Sequence, residues 1–325
     1  MKSKELCEQL VELAKNREGP GPDLAAVRSL GYALAMLGEL EAARSCFDQV
    51  TNEYDDAIHG NFALRTSGSH FGVGALMMNG VTYFALGYPD QAVGKSAQSV
   101  ALAQTLDHPI SEALAEWAKG IVHMMCRENE AALEHAGKSA KIAVEKDFPQ
   151  YLSWAKAMSE AGHFENGGGE AAIRGMRQAI EDCRAIGAQL FIPYWSLLLA
   201  RALGRSSQVE AGIAILDEAL EDVARTEERY FEAELRRAYG QLLLESDQGM
   251  AAEAEACFQQ AIKVARAQNA KSWELRAATS LAGLWHNQNK TDEARDVLAP
   301  VYDWFTEGFD TADLKDAKAL LHELG

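Results

Sequence analysis

The sequence predicts an all-α fold: a right-handed superhelical solenoid of about seven stacked helix pairs, closed by a C-terminal capping helix. Three observations predict it. A spaced pattern of small and apolar residues recurs along the chain. The 7 prolines (Pro20, Pro22, Pro89, Pro109, Pro149, Pro193 and Pro300) are spaced like helix boundaries, since proline suits a first turn and disrupts an interior. No stretch alternates β-branched and polar residues as a strand would. With 48% hydrophobic and 24% charged residues, the 325-residue chain has the composition of a globular protein with a sizeable core.

The elements follow in order within one expected domain, residues 1–325. Residues 1–20 read as an N-terminal helix, 22–305 as helix-pair repeats, and 310–324 as the cap. The first pair is written clearly: Leu30, Gly31 and Leu34 in the first helix, Gly38 at the turn, Ala43, Phe47 and Val50 in the second. Gly31 allows close approach, Ala43 packs on the first helix, and Phe47 and Val50 cover the face meeting the next pair. This is the spacing of a tetratricopeptide-type unit, which cannot bury its apolar faces alone and therefore stacks. The second copy has Gly80, Tyr83, Gly87 and Ala92, and the third Gly120 and Ala132. The fourth is blurred, with Ala172, Met176 and Ala179 after the glycine-rich turn at 166–169. The fifth has Ala200, Leu203, Gly212, Leu216 and Ala219; the sixth Gly240, Ala254, Phe258 and Ala261; the seventh Ala282, Trp285, Ala294, Leu298 and Val301. The clear anchors step by 49, 40, 40 and 42 residues, longer than the roughly 34 of a standard unit. Longer helices or longer loops account for the difference.

Charge and cysteine usage narrow the function. With 31 basic and 48 acidic residues, the net charge of −17 repels phosphate backbones and anionic lipid. Neither nucleic acid nor membrane is expected as a partner. The five cysteines (Cys7, Cys46, Cys126, Cys183 and Cys257) lack close pairs and read as reduced, buried thiols of a cytoplasmic protein. The first residues lack the apolar core of a secretion signal.

Apparent catalytic motifs do not hold together. Gly94-Lys95-Ser96 ends like a phosphate-binding loop, but the required earlier glycine is Pro89 and the tripeptide falls mid-helix. The glycines of 166–169 read as a turn. Eight histidines show no metal-ligand spacing; His123 reads as buried and hydrogen-bonded, and His70 as a more open loop residue that is structural, with no nucleophile or carboxylate pair near it. No nucleophile context is present. The expectation is therefore a protein that is not an enzyme, with no catalytic residues, no metal and no cofactor.

The C-terminal part of the chain is more specific. Leu235-Arg236-Arg237 and Leu275-Arg276 repeat one acid–Leu–Arg phrase at the start of successive first helices. A tail phrase then runs from Leu298-Ala299-Pro300 through Tyr302, Trp304, Phe305, Gly308 and Phe309 to Leu321, and Gly87-Tyr88-Pro89-Asp90-Gln91-Ala92 is a second phrase of this kind. From about residue 25 onward the chain resembles the C-terminal tetratricopeptide region of bacterial multidomain signalling proteins. In those, a class III nucleotide cyclase or winged-helix domain precedes a STAND-type ATPase, and the repeats follow. The resemblance implies a regulatory module that is either a fragment of such a protein or its free-standing sensor half. The cyclase and ATPase parts are absent here, so neither activity transfers. The stretch Gly68-Ser69-His70-Phe71-Gly72-Val73 also departs from the family's aspartate-containing phrase. The tail itself reads as a cap. Asp310 or Thr311 caps the last helix, Asp313 sits where its dipole favours negative charge, Leu314, Ala317, Leu320 and Leu321 form one apolar stripe, and Trp304, Phe305 and Phe309 fill the seam.

First helices of such a solenoid line its concave face. Positions three before, one after and four after each anchor give the candidate groove residues Arg28, Tyr32, Met77, Phe84, Trp117, Met124, Arg201, Arg237 and Gln241. The aromatic and Met-rich half suits an apolar or helical peptide. Arg201, Arg236, Arg237 and Arg276 suit carboxylate or phosphate. A carboxylate clamp of the co-chaperone kind is disfavoured, because Tyr32 and Val81 occupy its asparagine positions. The expected function is a non-catalytic regulatory or scaffold module of a bacterial signalling system that binds a protein or peptide in its groove, a STAND ATPase or cyclase in cis or in trans among the partners. The alternative is a self-associating solenoid, a homo-oligomer without an effector.

Overall fold

The computed structural model describes residues 2–15, 17, 19, 21–246 and 249–325; Pro20, one of the expected boundary prolines, lies outside them. These residues form seventeen helices and no strand. In order they are α1 (Lys2–Ala14), α2 (Pro22–Leu37), α3 (Leu40–Glu53), α4 (Asp56–Ser67), α5 (Phe71–Ala85), α6 (Pro89–Thr105), α7 (Pro109–Met125), α8 (Asn129–Glu145) and α9 (Pro149–Glu165). There follow α10 (Gly169–Ala185), α11 (Ile192–Arg205), α12 (Val209–Thr226), α13 (Glu232–Glu245), α14 (Ala251–Ala267), α15 (Lys271–Asn287), α16 (Thr291–Tyr302) and α17 (Ala312–Glu323). Seven pairs are recognisable: α2–α3, then each successive pair from α5–α6 to α15–α16. Helix α4 belongs to no pair. It is the reason the first anchor step is 49 residues, which the sequence attributes to longer helices or loops.

Proline and glycine set the punctuation. Pro22, Pro89, Pro109 and Pro149 open their helices, and Pro193 is the second residue of α11. Pro300 departs from its expected boundary role, lying within the last turns of α16. Gly38 ends α2 in the left-handed region at φ 81°, its N–H bonded back to the Ala35 carbonyl.

The anchors work by close approach. A Cβ on Gly31 would lie 2.8 Å from Phe47 Cε1. At Gly80, Gly120 and Gly240 it would lie 3.2, 3.2 and 3.0 Å from the carbonyl oxygens of Ala92, Ala132 and Ala254, the small residue of each second helix. In the fifth pair the roles are exchanged: Gly212 of the second helix faces the Ala200 carbonyl at 2.9 Å.

The chain divides into two compact units, one of residues 1–84 and 90–158, the other of residues 85–89 and 159–325. In the first, Phe47, Phe71, Phe84 and Trp117 are fully enclosed. In the second, one apolar cluster runs from Leu243, Phe258 and Leu281 through Leu298 and Phe305 to Leu314, Ala317 and Leu324 of the cap.

The cap differs in detail from expectation. Thr311 is the N-cap of α17, but its hydroxyl donates to the Gly308 carbonyl (2.7 Å) and makes no bond to the helix N-terminus. Leu314 and Ala317 are buried and Leu320 and Leu321 partly so. Of the three seam aromatics only Phe305 is buried; Trp304 and Phe309 remain 37% and 50% exposed. Trp304 instead lies against Tyr88 (ring centroids 5.6 Å) and Lys271.

Candidate ligand-binding site

Each unit holds one group of the predicted first-helix residues. In the first unit, α2 carries Arg28 and Tyr32 one turn apart. The Arg28 guanidinium carbon lies 4.7 Å from the Phe71 ring centroid and 5.8 Å from that of Tyr32. Its Nε is buried without a hydrogen-bond partner among the described residues. The Tyr32 hydroxyl donates to the Gly74 carbonyl at 3.3 Å. Burial pushes the Tyr32 phenol up, against the pull of Arg28; it carries Tyr151, beside both, up to about 12. Both phenols therefore remain hydrogen-bond donors at neutral pH. Tyr151 stands edge-on to Trp154 at 5.7 Å, and Trp154 packs on Trp117 at 4.7 Å.

Three of the apolar candidates do not line a groove. Met77 and Phe84 are 2% exposed and Trp117 is fully enclosed. The spacing places them on the expected face, but adjacent helices close over that face. Burying such side chains gains about 1.5–3 kcal/mol each, so they are core and not contact residues. Met124 stays half-buried.

In the second unit, α11, α13 and α15 bring Arg201, Arg237 and Arg276 together. Glu234 on α13, 0% exposed, is the hub. It accepts Arg237 Nε at 2.7 Å and Nη2 at 3.1 Å, and Arg276 Nη1 at 3.1 Å. Arg276 Nε also donates to Asp313 of the cap at 2.7 Å. Burial pushes the Glu234 carboxyl up, but Arg237 and Arg276 outweigh it and hold the group down at about 2. Arg236 faces elsewhere, donating to Glu232 at 2.8 and 3.0 Å, and does not join the row.

Arg201 is different. It makes no hydrogen bond and no ion pair among the described residues, and burial, then Arg237 and Arg276, push its pKa down. It opens on a cavity of about 230 Å³, lined also by Arg205, Arg237, Ala238, Gln241, Leu242 and Glu245. Arg205 is held by Glu165 at 2.7 Å, and the Gln241 amide donates to Glu245 at 3.3 Å. The predicted trio Arg201, Arg237 and Gln241 thus lines one cavity. Glu234, the acid of the first acid–Leu–Arg phrase, and Asp313, in a first helical turn, are both marked in the sequence, but nothing there shows that they hold Arg237 and Arg276.

The remaining sequence lures resolve as structure. Gly94-Lys95-Ser96 lies inside α6, and 166–168 is the α9–α10 turn, with Gly169 the first residue of α10. His70 is not open: it is 4% exposed, and its Nδ1 lies 2.6 Å from Asp56 and 2.9 Å from the Tyr54 hydroxyl. That aspartate comes from α4, the helix the repeat pattern does not show. His123 is half-buried and bonded to Glu128, while the enclosed His135 meets Glu116 at 2.6 Å. All five cysteines are free, with Cys126 and Cys183 buried. Among the described residues no helix is long and apolar enough to cross a membrane.

No protein-family model and no curated protein matches the chain. Solved structures do, at the level of fold. NprR in complex with its cognate peptide NprX superposes with a TM-score of 0.58 at 12% identity, over 95% of this chain and 84% of that one. A Rap protein complexed with competence and sporulation factor gives 0.59 at 15%, over 93% and 80%. A STAND protein with a tetratricopeptide repeat sensor from Pyrococcus horikoshii gives 0.50 at 12%, over 99% of this chain and 53% of that one. The chain is an all-α, tetratricopeptide-like helical-repeat protein.

Proposed function

We propose that the chain is a non-catalytic regulatory module of a bacterial, cytoplasmic signalling system that binds a peptide or an extended protein segment along its first helices. One observation carries this reading: Arg201, Arg237 and Gln241, from two successive first helices, converge on one cavity and leave Arg201 unspent. The complexes of NprR with its cognate peptide and of a Rap protein with competence and sporulation factor support it as analogies of fold, and the sensor-bearing STAND protein supports an ATPase as the regulated partner, in cis or in trans; a cyclase in that place rests on the sequence resemblance alone. Binding that favours one of two conformations shifts their balance by the difference in affinity, which is what a sensor requires. The test is selection of peptides from a random displayed library against the full chain. Arg201→Glu and Arg237→Glu are expected to weaken the selected peptides by at least about tenfold. Unchanged binding in both variants would overturn the site.

A competing reading, a self-associating solenoid, is favoured by a separate feature. Leu6, Leu10 and Leu13 form an i, i+4, i+7 stripe on α1 and are 56%, 45% and 65% exposed.

A further inference from the structure

The geometry points to Arg201 as the anchor for a carboxylate of the bound peptide; this deepens the peptide-binding reading above and rests on it. The chain holds 48 carboxylate side chains against 31 lysines and arginines, yet among the described residues none lies in ion-pair contact with Arg201; Glu234 and Glu165 act on it only at longer range. Its neighbours are already committed. Glu234 serves Arg237 and Arg276, Asp313 serves Arg276, and Glu165 serves Arg205. A half-buried guanidinium with no partner is unfavourable for the ligand-free fold, and Arg237 and Arg276 beside it add like charge. Such an arrangement is paid for when an anion arrives. Arg237 gives Nε and Nη2 to Glu234, and its Nη1 makes no hydrogen bond among the described residues. Two guanidinium groups at one cavity match the planar, bidentate geometry of a carboxylate.

The cavity sets the size and charge of the guest. About 230 Å³ is below the roughly 300–1,000 Å³ of sites that enclose a whole small molecule, so it takes one acidic side chain or one chain terminus of a longer ligand. Glu245 lies on the same wall, tied to Gln241. Its charge works against a phosphate dianion more than against a singly charged carboxylate.

Two measurements on the full chain test this. The first is thermal melting of the wild type, Arg201→Met and Arg201→Lys in sodium acetate or sodium phosphate, with ionic strength held constant by sodium chloride. Ligand-free Arg201→Met is expected to melt higher than the wild type, because an unpaired, partly buried charge beside Arg237 and Arg276 is removed. Acetate is expected to raise the melting temperature of the wild type more than that of Arg201→Met, and more than phosphate does. A lower melting temperature for Arg201→Met, an equal acetate effect in both proteins, or a larger effect of phosphate overturns the proposal. If Arg201→Met does not fold, Arg201→Lys, which keeps the charge but loses the fork, must show the reduced acetate effect.

The second measurement takes a peptide selected from the random library and compares its free acid, its C-terminal amide, and forms with each Asp or Glu changed to Asn or Gln. One neutralised form is expected to bind the wild type at least about tenfold more weakly and to bind Arg201→Met no worse than its parent does. Loss on amidation identifies the terminus; loss on a side-chain change identifies an acidic residue. If every neutralised peptide binds like its parent, the carboxylate anchor falls and peptide binding stands. If no peptide binds while acetate still acts through Arg201, the anion site stands and the peptide reading falls.

Discussion

At the scale of single residues, the second unit treats two buried carboxyls in opposite ways. Glu234 is surrounded by guanidinium groups and is held down at about 2. Glu228 lines a separate cavity of about 470 Å³ with Glu218, Glu221 and Asp222 among its neighbours. Burial raises it to about 7, against one bond from the Phe191 backbone, and Asp222 adds to the rise; its Oε1 has no hydrogen-bond partner among the described residues. The stability consequence has a definite sign. Below the ordinary value of 4.5 both folded and unfolded chains hold the proton, and Glu228 costs nothing. As pH rises past it the unfolded chain ionises first, so stability falls until the folded group also ionises near 7. Glu228→Gln removes that loss. The variant is expected to be more stable than the wild type by about 2 kcal/mol at about pH 8 and nearly equal at about pH 4. Urea denaturation at the two pH values checks it; a stability difference that does not grow with pH sinks the assignment.

At the scale of elements, the helix pairs rest on which glycines are crowded. Gly240 on α13 faces the Ala254 carbonyl at 3.0 Å and Phe258 at 2.8 Å, measured from an added Cβ, whereas nothing lies within 4 Å of one at Gly137 on α8. Gly240→Ala therefore forces a backbone shift and is expected to destabilise by about 1–3 kcal/mol. Gly137→Ala meets open space and is expected to stabilise by about 0.5–1 kcal/mol through helix propensity. Opposite signs in chemical denaturation are the check, and equal signs would remove the close-approach account. The same local requirement made the pairs legible in the sequence, because a small residue at a fixed offset is needed wherever two helices touch. Helix α4 was not legible: its twelve residues, from Asp56 to Ser67, carry no coherent apolar stripe, and its start shows only in the Asp55 cap on Ala57. The site was half legible. Spacing found the face bearing Arg201, Arg237 and Gln241, but not that Met77, Phe84 and Trp117 on equivalent positions are covered. Nor does it show pairings that span 42 residues, as Arg276–Glu234, or 37, as Arg276–Asp313. Those depend on the pitch of stacked pairs, which no local pattern records.

At the scale of the whole molecule, two forces decide between a regulatory module and a self-associating one. The net charge of −17 sets copies of the chain against one another, strongly at low salt and weakly once the Debye length contracts to about 8 Å near physiological ionic strength. Against it stands the α1 stripe of Leu6, Leu10 and Leu13, whose burial in a dimer gains about 25 cal/mol for each Å² of apolar surface removed from water. A symmetric contact between two copies of this one short helix is far smaller than the roughly 1,200–2,000 Å² of a stable interface, so charge repulsion is expected to win. Static light scattering of the full chain across a hundredfold range of about micromolar concentrations, at low and at physiological salt, is expected to give a constant monomer mass. Leu10→Glu, which breaks the stripe, is expected to leave that mass unchanged. A mass that rises with concentration and salt, and that Leu10→Glu returns to the monomer value, would make the stripe an interface and the self-associating solenoid the better account of the chain.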